Sequence, residues 1–343
     1  MSTRPEQGSV RVLLVEDSSR QPSQLMEAVR YDGDLTVVAQ VGTALAAIDC
    51  VAQSRPDVVV LDLQLSDGQS LHAIEQIMAR TPTPILILSE RHSPSAVEAL
   101  VAGALLALPR ALQWTPAQGA ELRAAVRHIS KVQVIRHPRG SLASGSRHDP
   151  ETHSGRQPVV AIAASTGGPS ALAILLSGLA GLRAPVLVVQ HLHPDFTTGL
   201  VEWMSRISPL PVETAVHHQT ARPGRIYIAP GERHLRYLAD GRLELAAAPA
   251  TPHRPSADQL FLSVAEAAES AGIGVLLTGM GEDGAKGLLA IRQRGGRTLA
   301  QDEASSAVFG MPKAAERLGA VTGLLPLDKI ATAVRRAVRD VTA

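Results

Sequence analysis

Short apolar runs recur along this chain. Each ends abruptly at a polar residue or a glycine, and most lead into a segment with helical spacing. Val12-Leu13-Leu14-Val15 stops at Glu16-Asp17, and a helix is expected around Ser23 to Arg30. Leu35 to Gln40 reads as a second strand and Ala44 to Ser54 as a second helix. Val58-Val59-Val60-Leu61 stops at Asp62, and Ile85-Leu86-Ile87-Leu88 stops at Ser89. Continuous rather than alternating apolar runs mark strands buried on both faces. Their alternation with helices predicts a parallel sheet covered by helices on both sides. The rhythm resumes at Val159 to Ala164 and continues with Pro185 to Gln190, Arg225 to Ala229 and Gly274 to Thr278; Ala285 to Arg294 reads as a helix. The pattern therefore predicts two doubly wound α/β domains, at 10–130 and 157–343, the first closed by a helix from Gln118 to about Val134. Between them, 131–156 is rich in Pro, Gly, Ser, His and Arg and offers little to bury, as expected of a solvated tether.

Composition narrows the function classes. The 343 residues carry 33 basic and 32 acidic side chains, a net charge of +1, which supplies no electrostatic footprint for nucleic acid. Aromatic residues make up 2%, too few for a base-stacking platform. Cys50 is the only cysteine, so no disulfide framework exists. The first ten residues lack the apolar core of a secretory signal, and no apolar run approaches a membrane span. The expectation is a cytoplasmic protein.

Within the second domain, the run Val159 to Ala164 breaks at Ser165-Thr166-Gly167-Gly168-Pro169, after which an Ala- and Leu-rich helix begins. This order puts the Ser165 hydroxyl at the carboxyl edge of a sheet, beside the free N–H groups of a helix N-terminus. Two readings fit: a serine cap on a glycine turn, or a nucleophile beside oxyanion donors. The stretch differs from the G-x-S-x-G elbow in having Ala163 at the first glycine position, and it lacks the lysine of a phosphate loop. His191 follows the strand ending at Gln190, and Asp283 follows the strand ending at Thr278. Parallel strands place their carboxyl ends on one edge. Serine, histidine and aspartate on that edge supply nucleophile, base and orienting carboxylate. His217, His218, His234 and His253 carry weaker claims; on a strand, adjacent histidines point to opposite faces.

The same edge argument gathers Glu16, Asp17 and Asp62 in the first domain. They read either as helix caps or as an oxygen-rich site suited to Mg²⁺. With Val15-Glu16-Asp17-Ser18, Val60 to Leu65, Asp67-Gly68 and Ser89, the first domain resembles a response-regulator receiver. That resemblance implies a flavodoxin-like fold, Asp62 as phosphoryl acceptor from a histidine kinase, Glu16 and Asp17 with Asp62 as Mg²⁺ ligands, and Ser89 as the switch hydroxyl. The receiver lysine is missing: the region reads Gly103 to Leu108, then Pro109-Arg110, and no lysine precedes Lys131. Arg110 is the available cation, but a guanidinium fork does not substitute freely for an ammonium.

The second domain is similar to the chemotaxis protein-glutamate methylesterases of the CheB family. The resemblance rests on Ala164 to Pro169, Gln190-His191-Leu192-His193-Pro194, Ala229-Pro230-Gly231, His253 to Asp258, Leu277 to Ala285, Gln301 to Ser306 and Gly310-Met311-Pro312. It implies a Rossmann-like domain that hydrolyses glutamate γ-methyl esters on methyl-accepting chemotaxis receptors, deamidates receptor glutamines, needs no cofactor and meets the membrane only through receptors. Ser165, His191 and Asp283 would be its triad, with Thr166 and Met280 near the oxyanion and substrate. The competing readings are a non-enzymatic adaptor and a nucleotide switch around Gly167-Gly168.

Overall fold

The computed structural model describes residues 9–17, 22–132 and 157–342. The expected tether, apart from Lys131 and Val132, lies outside the described residues, as do Ser18 and the N-terminal segment before Ser9. The chain divides into two compact units, 1–136 and 137–343.

The first unit alternates strands β1 (Val10–Val15), β2 (Leu35–Val41), β3 (Val58–Asp62), β4 (Ile85–Ser89) and β5 (Leu106–Pro109) with helices α1 (Pro22–Arg30), α2 (Ala44–Ser54), α3 (Ser70–Arg80), α4 (Pro94–Ala102) and α5 (Pro116–Ile129). Its sheet runs β2-β1-β3-β4-β5, and every pairing is parallel. All five residues of β3 and of β4 are buried, which is why their sequences read as unbroken apolar runs. The start of α5 is set locally. Pro116 stands in its first turn, and Thr115 and Gln118 cap each other's backbone N–H groups.

In the second unit, β6 (Val159–Ala164), β7 (Val186–Gln190), β8 (Val212–Thr214), β9 (Ile226–Ile228), β12 (Gly272–Leu276), β13 (Arg297–Gln301) and β14 (Gly323–Leu325) form one parallel sheet in the order β14-β13-β12-β6-β7-β9-β8. Helices α6 (Gly168–Ser177), α7 (Thr197–Ile207), α8 (Ala257–Ala268), α9 (Ala285–Gln293), α10 (Met311–Arg317) and α11 (Leu327–Thr342) accompany it. An antiparallel hairpin, β10 (His234–Tyr237) with β11 (Leu243–Ala246), packs on α8. The core on that side joins Tyr227, Leu235, Phe261, Leu276 and Leu288.

Strand order decides where the chemistry falls. The chain leaves β6 toward β7 on one side and later returns to β12 on the other. β6 is therefore a topological switch point, where an open parallel sheet forms its crevice at the carboxyl ends. Ser165 follows β6, His191 follows β7, and Asp283 follows β12.

Candidate active site

Ser165 is held by its backbone. Its N–H donates to the Thr278 carbonyl at 3.0 Å, and its own carbonyl accepts from the Gly168 N–H at 2.8 Å. Close approach of the two loops needs glycine: a Cβ on Gly279 would lie 2.6 Å from the Ser165 Cβ. The Thr166 and Met280 N–H groups donate no hydrogen bond among the described residues, and both flank the switch-point crevice. Thr166 itself is buried, with its carbonyl fixed by the Thr278 hydroxyl at 3.0 Å.

His191 and Ser165 share one clamp that sequence reasoning missed. The buried Gln190 amide donates to the Ser165 carbonyl at 2.8 Å and to the His191 carbonyl at 2.9 Å. A Cβ on Gly168 would meet its Oε1 at 2.0 Å, so glycine makes room for the clamp. In the sequence Gln190 showed as the polar end of an apolar strand and the first residue of a motif shared with the family, with no sign of its clamp.

The imidazole is tied at one nitrogen. His191 Nε2 lies 2.9 Å from Asp283 Oδ2. An ionised carboxylate only accepts, so Nε2 carries the proton and donates. The opposite nitrogen, Nδ1, is buried and without a partner. It presents the lone pair that a general base requires. The Ser165–Nδ1 hydrogen bond is not formed in this arrangement; such bonds commonly tighten only in the substrate complex.

Asp283 owes its state to a helix N-terminus. The N-cap of α8, Ser256, donates its hydroxyl to Oδ1 at 2.9 Å. The N–H groups of Ala257 and Asp258 donate to Oδ2 and Oδ1 at 2.7 and 3.0 Å. Burial by itself raises this carboxyl's pKa. The His191 hydrogen bond and charge, with the two backbone donors, outweigh burial and hold it well below the usual carboxylate range. The loop before α8 is pinned in turn by the fully buried His234, whose Nδ1 accepts from the Ser256 N–H at 3.2 Å and whose Nε2 bonds the Pro249 carbonyl at 2.9 Å. His234 thus belongs to the scaffold of the site. The strand argument for His217 and His218 is corrected: both sit on a turn, and their ring centroids lie 3.8 Å apart.

In the first unit, Asp62 ends β3 and is buried. The Arg110 N–H donates to the Ser89 carbonyl at 2.7 Å, which brings the end of β5 alongside β4. From there Arg110 Nε pairs with Asp62 Oδ2 at 2.8 Å, and its Nη1 donates to Gln64 Oε1 at 2.9 Å. The Gln64 N–H holds Asp62 Oδ1 at 2.9 Å. Glu16 accepts from Gln40 at 3.1 Å. Burial, and next the Asp62 charge, push Glu16 up to about 7 against the opposing pull of Arg110. Asp17 is half-buried after β1, and Ser89 is buried at the end of β4. Glu16, Asp17 and Asp62 are hard oxygen donors of the type Mg²⁺ takes. As arranged they do not fit it: both Asp62 oxygens are already engaged, and no group of three His, Cys, Asp or Glu side chains among the described residues is placed to hold a metal ion.

Among the described residues, no helix is long and apolar enough to cross a membrane. Comparison with known proteins identifies the family of both units. The profile of the CheB methylesterase family matches residues 160–334, and that of the response regulator receiver domain matches residues 12–114. A protein-glutamate methylesterase/protein-glutamine glutaminase 2 of Anaeromyxobacter dehalogenans is 43% identical over 335 residues, covering 96% of this chain and 97% of that protein. The protein-glutamate methylesterase FrzG of Myxococcus xanthus is 42% identical over 317 residues, covering 89% and 92%. The crystal structure of the Thermotoga maritima CheB methylesterase catalytic domain superposes with a TM-score of 0.51 at 35% identity, covering 52% of this chain and 98% of that one. The chain belongs to the CheB methylesterase family and carries a response-regulator receiver domain ahead of its methylesterase domain.

Proposed function

We propose that this protein hydrolyses glutamate γ-methyl esters on methyl-accepting chemotaxis receptors, releasing methanol, and that it deamidates receptor glutamines at the same site. The observation that carries the reading is the orphaned, buried Nδ1 of His191, opposite a nitrogen locked on Asp283. Nδ1 takes the proton of Ser165 as its Oγ attacks the ester carbonyl, then returns it to the departing methoxide. Asp283 stays ionised, fixes the tautomer and stabilises the imidazolium. The chain orientation differs from the common triad in that Nε2, rather than Nδ1, faces the carboxylate. The Thr166 and Met280 N–H groups serve the developing oxyanion; one such donor contributes about 3 kcal/mol of barrier lowering. Water then attacks the acyl-enzyme with His191 again as base. The proposed esterase reaction uses no cofactor.

The receiver carries the regulatory input. Asp62 is the proposed phosphoryl acceptor from a histidine kinase, with Ser89 as the hydroxyl that reports it. Arg110 is the fixed cation beside Asp62 in place of lysine. The protein reaches the membrane only through its receptor substrates.

Methanol release from receptor-bearing membranes tests the enzymatic half. Wild type should release methanol, and Ser165→Ala should fall by about 10⁴-fold or more. Equal release by the two proteins would end the reading. Incubation with acetyl phosphate, with and without Mg²⁺, tests the receiver half: an acid-labile adduct on Asp62 that Asp62→Asn lacks supports it, and no adduct in either condition refutes it.

A further inference from the structure

Asp283 anchors the His191 imidazole at a single nitrogen. One hydrogen bond leaves the ring free to tilt about that axis, and tilt swings Nδ1 away from a serine. Something must restrain the ring's plane. The only other aromatic ring contacting it among the described residues is His253, whose centroid lies 4.4 Å from that of His191 with 14° between the planes. That is a flat stack at the close end of the range for aromatic pairs.

His253 is exposed, yet it is not carried on a loose strap. It lies in the segment between β11 and α8. Upstream, the Pro249 carbonyl is bonded to buried His234. Downstream, the Ser256 N–H is bonded to the same imidazole, and the Ser256 hydroxyl to Asp283. The segment is thus tied at both ends to groups that also define the catalytic carboxylate. One face of His191 is covered, and its side chain is only 10% exposed.

We propose that His253 is a positioning residue for ester hydrolysis. Stacked on His191, it holds the plane of the base so that Nδ1 meets the Ser165 hydroxyl, and it walls the outer side of the site against water. This rests on the hydrolase reading above. It adds a fourth side chain that acts through the base, with no bond to substrate required.

The test compares kcat and KM for methanol release from methylated receptors in membranes, using the full chain with His253→Ala and His253→Phe, and Ser165→Ala as reference. Misplacing a catalytic group by an ångström costs up to about 100-fold. His253→Ala should therefore lose about tenfold to 100-fold in kcat with KM within about twofold of wild type. His253→Phe, which keeps a flat ring, should stay within about threefold. An unchanged kcat in His253→Ala, a change confined to KM, or a loss in His253→Phe as large as in His253→Ala would each overturn the proposal. If His253→Ala loses its folded circular dichroism, His253→Phe alone decides: near-wild-type kcat supports the ring requirement, and a depressed kcat refutes it. Failure of the hydrolase reading is distinguishable, because Ser165→Ala would then release methanol like wild type.

Discussion

Asp62 and Asp283 both lie toward the carboxyl ends of parallel strands, each beside the switch of its own sheet, and their carboxylates are engaged by opposite means. Asp62 faces a permanent cation. Arg110 Nε pairs with its Oδ2 at 2.8 Å. Asp283 faces an imidazole and the N-terminus of α8, which supplies two backbone N–H groups and a serine hydroxyl. The first arrangement cancels a charge and leaves no proton to move. The second fixes a charge while leaving a neighbouring nitrogen unsatisfied and ready to accept one. The proposed hydrolase site keeps one nitrogen open, whereas both oxygens of the proposed phosphoryl acceptor are engaged at rest.

The strongest way to break this contrast is to remove the charge of Asp283. Asp283→Asn offers Nε2 either a donor or a neutral acceptor, so the tautomer is no longer fixed. Methanol release should drop by about 10⁴-fold in kcat, read in receptor membranes. The same variant has a pH signature. The folded-state pKa of Asp283 lies below its unfolded value, so its stabilising contribution is complete above about pH 4 and fades as pH falls further. Wild type should be more stable than Asp283→Asn at neutral pH in urea melts, and the gap should narrow below about pH 4.

A milder break is Gln190→Leu. It keeps the volume in the sheet but frees the carbonyls of Ser165 and His191 from their shared donor. We expect kcat to fall by about tenfold to 100-fold with the fold retained, since the loss is one of placement. The smallest expected effect on hydrolysis, and the sharpest on the other side of the comparison, belongs to Arg110→Ala. It strands a buried Asp62 without its cation. Unfolding of the receiver should become easier by about 3–5 kcal/mol, measured by denaturant titration, while Asp62→Asn added to the same chain should recover part of that loss.

Much of this was legible from hydrophobic rhythm. The unbroken apolar runs of β3, β4, β6 and β7 announced strands buried on both faces, and the parallel rule then put Ser165, His191 and Asp283 on one edge. What the rhythm could not reach were contacts made by side chains across long stretches of chain. The Ser256-Ala257-Asp258-Gln259 pattern marks a helix start, but nothing local says that the Ser256 hydroxyl also reaches Asp283. Gln190 looked like a strand end because its role depends on Gly168, which opens α6. The hairpin β10–β11 is short, and its strands are only partly apolar, so no continuous run announced it. His253 stood in a motif shared with the family, but its stack on His191 depends on a segment tied to His234 far along the chain. Arg110 was visible as a departure, but its reach to Asp62 and Gln64 is a three-dimensional fact.

The central claim is that the Nδ1 of His191 activates Ser165. The most direct measurement is mass-spectrometric mapping of the full chain after reaction with a fluorophosphonate probe, for wild type and His191→Ala. The account predicts a single phosphonyl adduct on Ser165 in wild type, formed at least about 100-fold more slowly in His191→Ala. An adduct on another serine, or labelling of Ser165 at an undiminished rate without the imidazole, would contradict it.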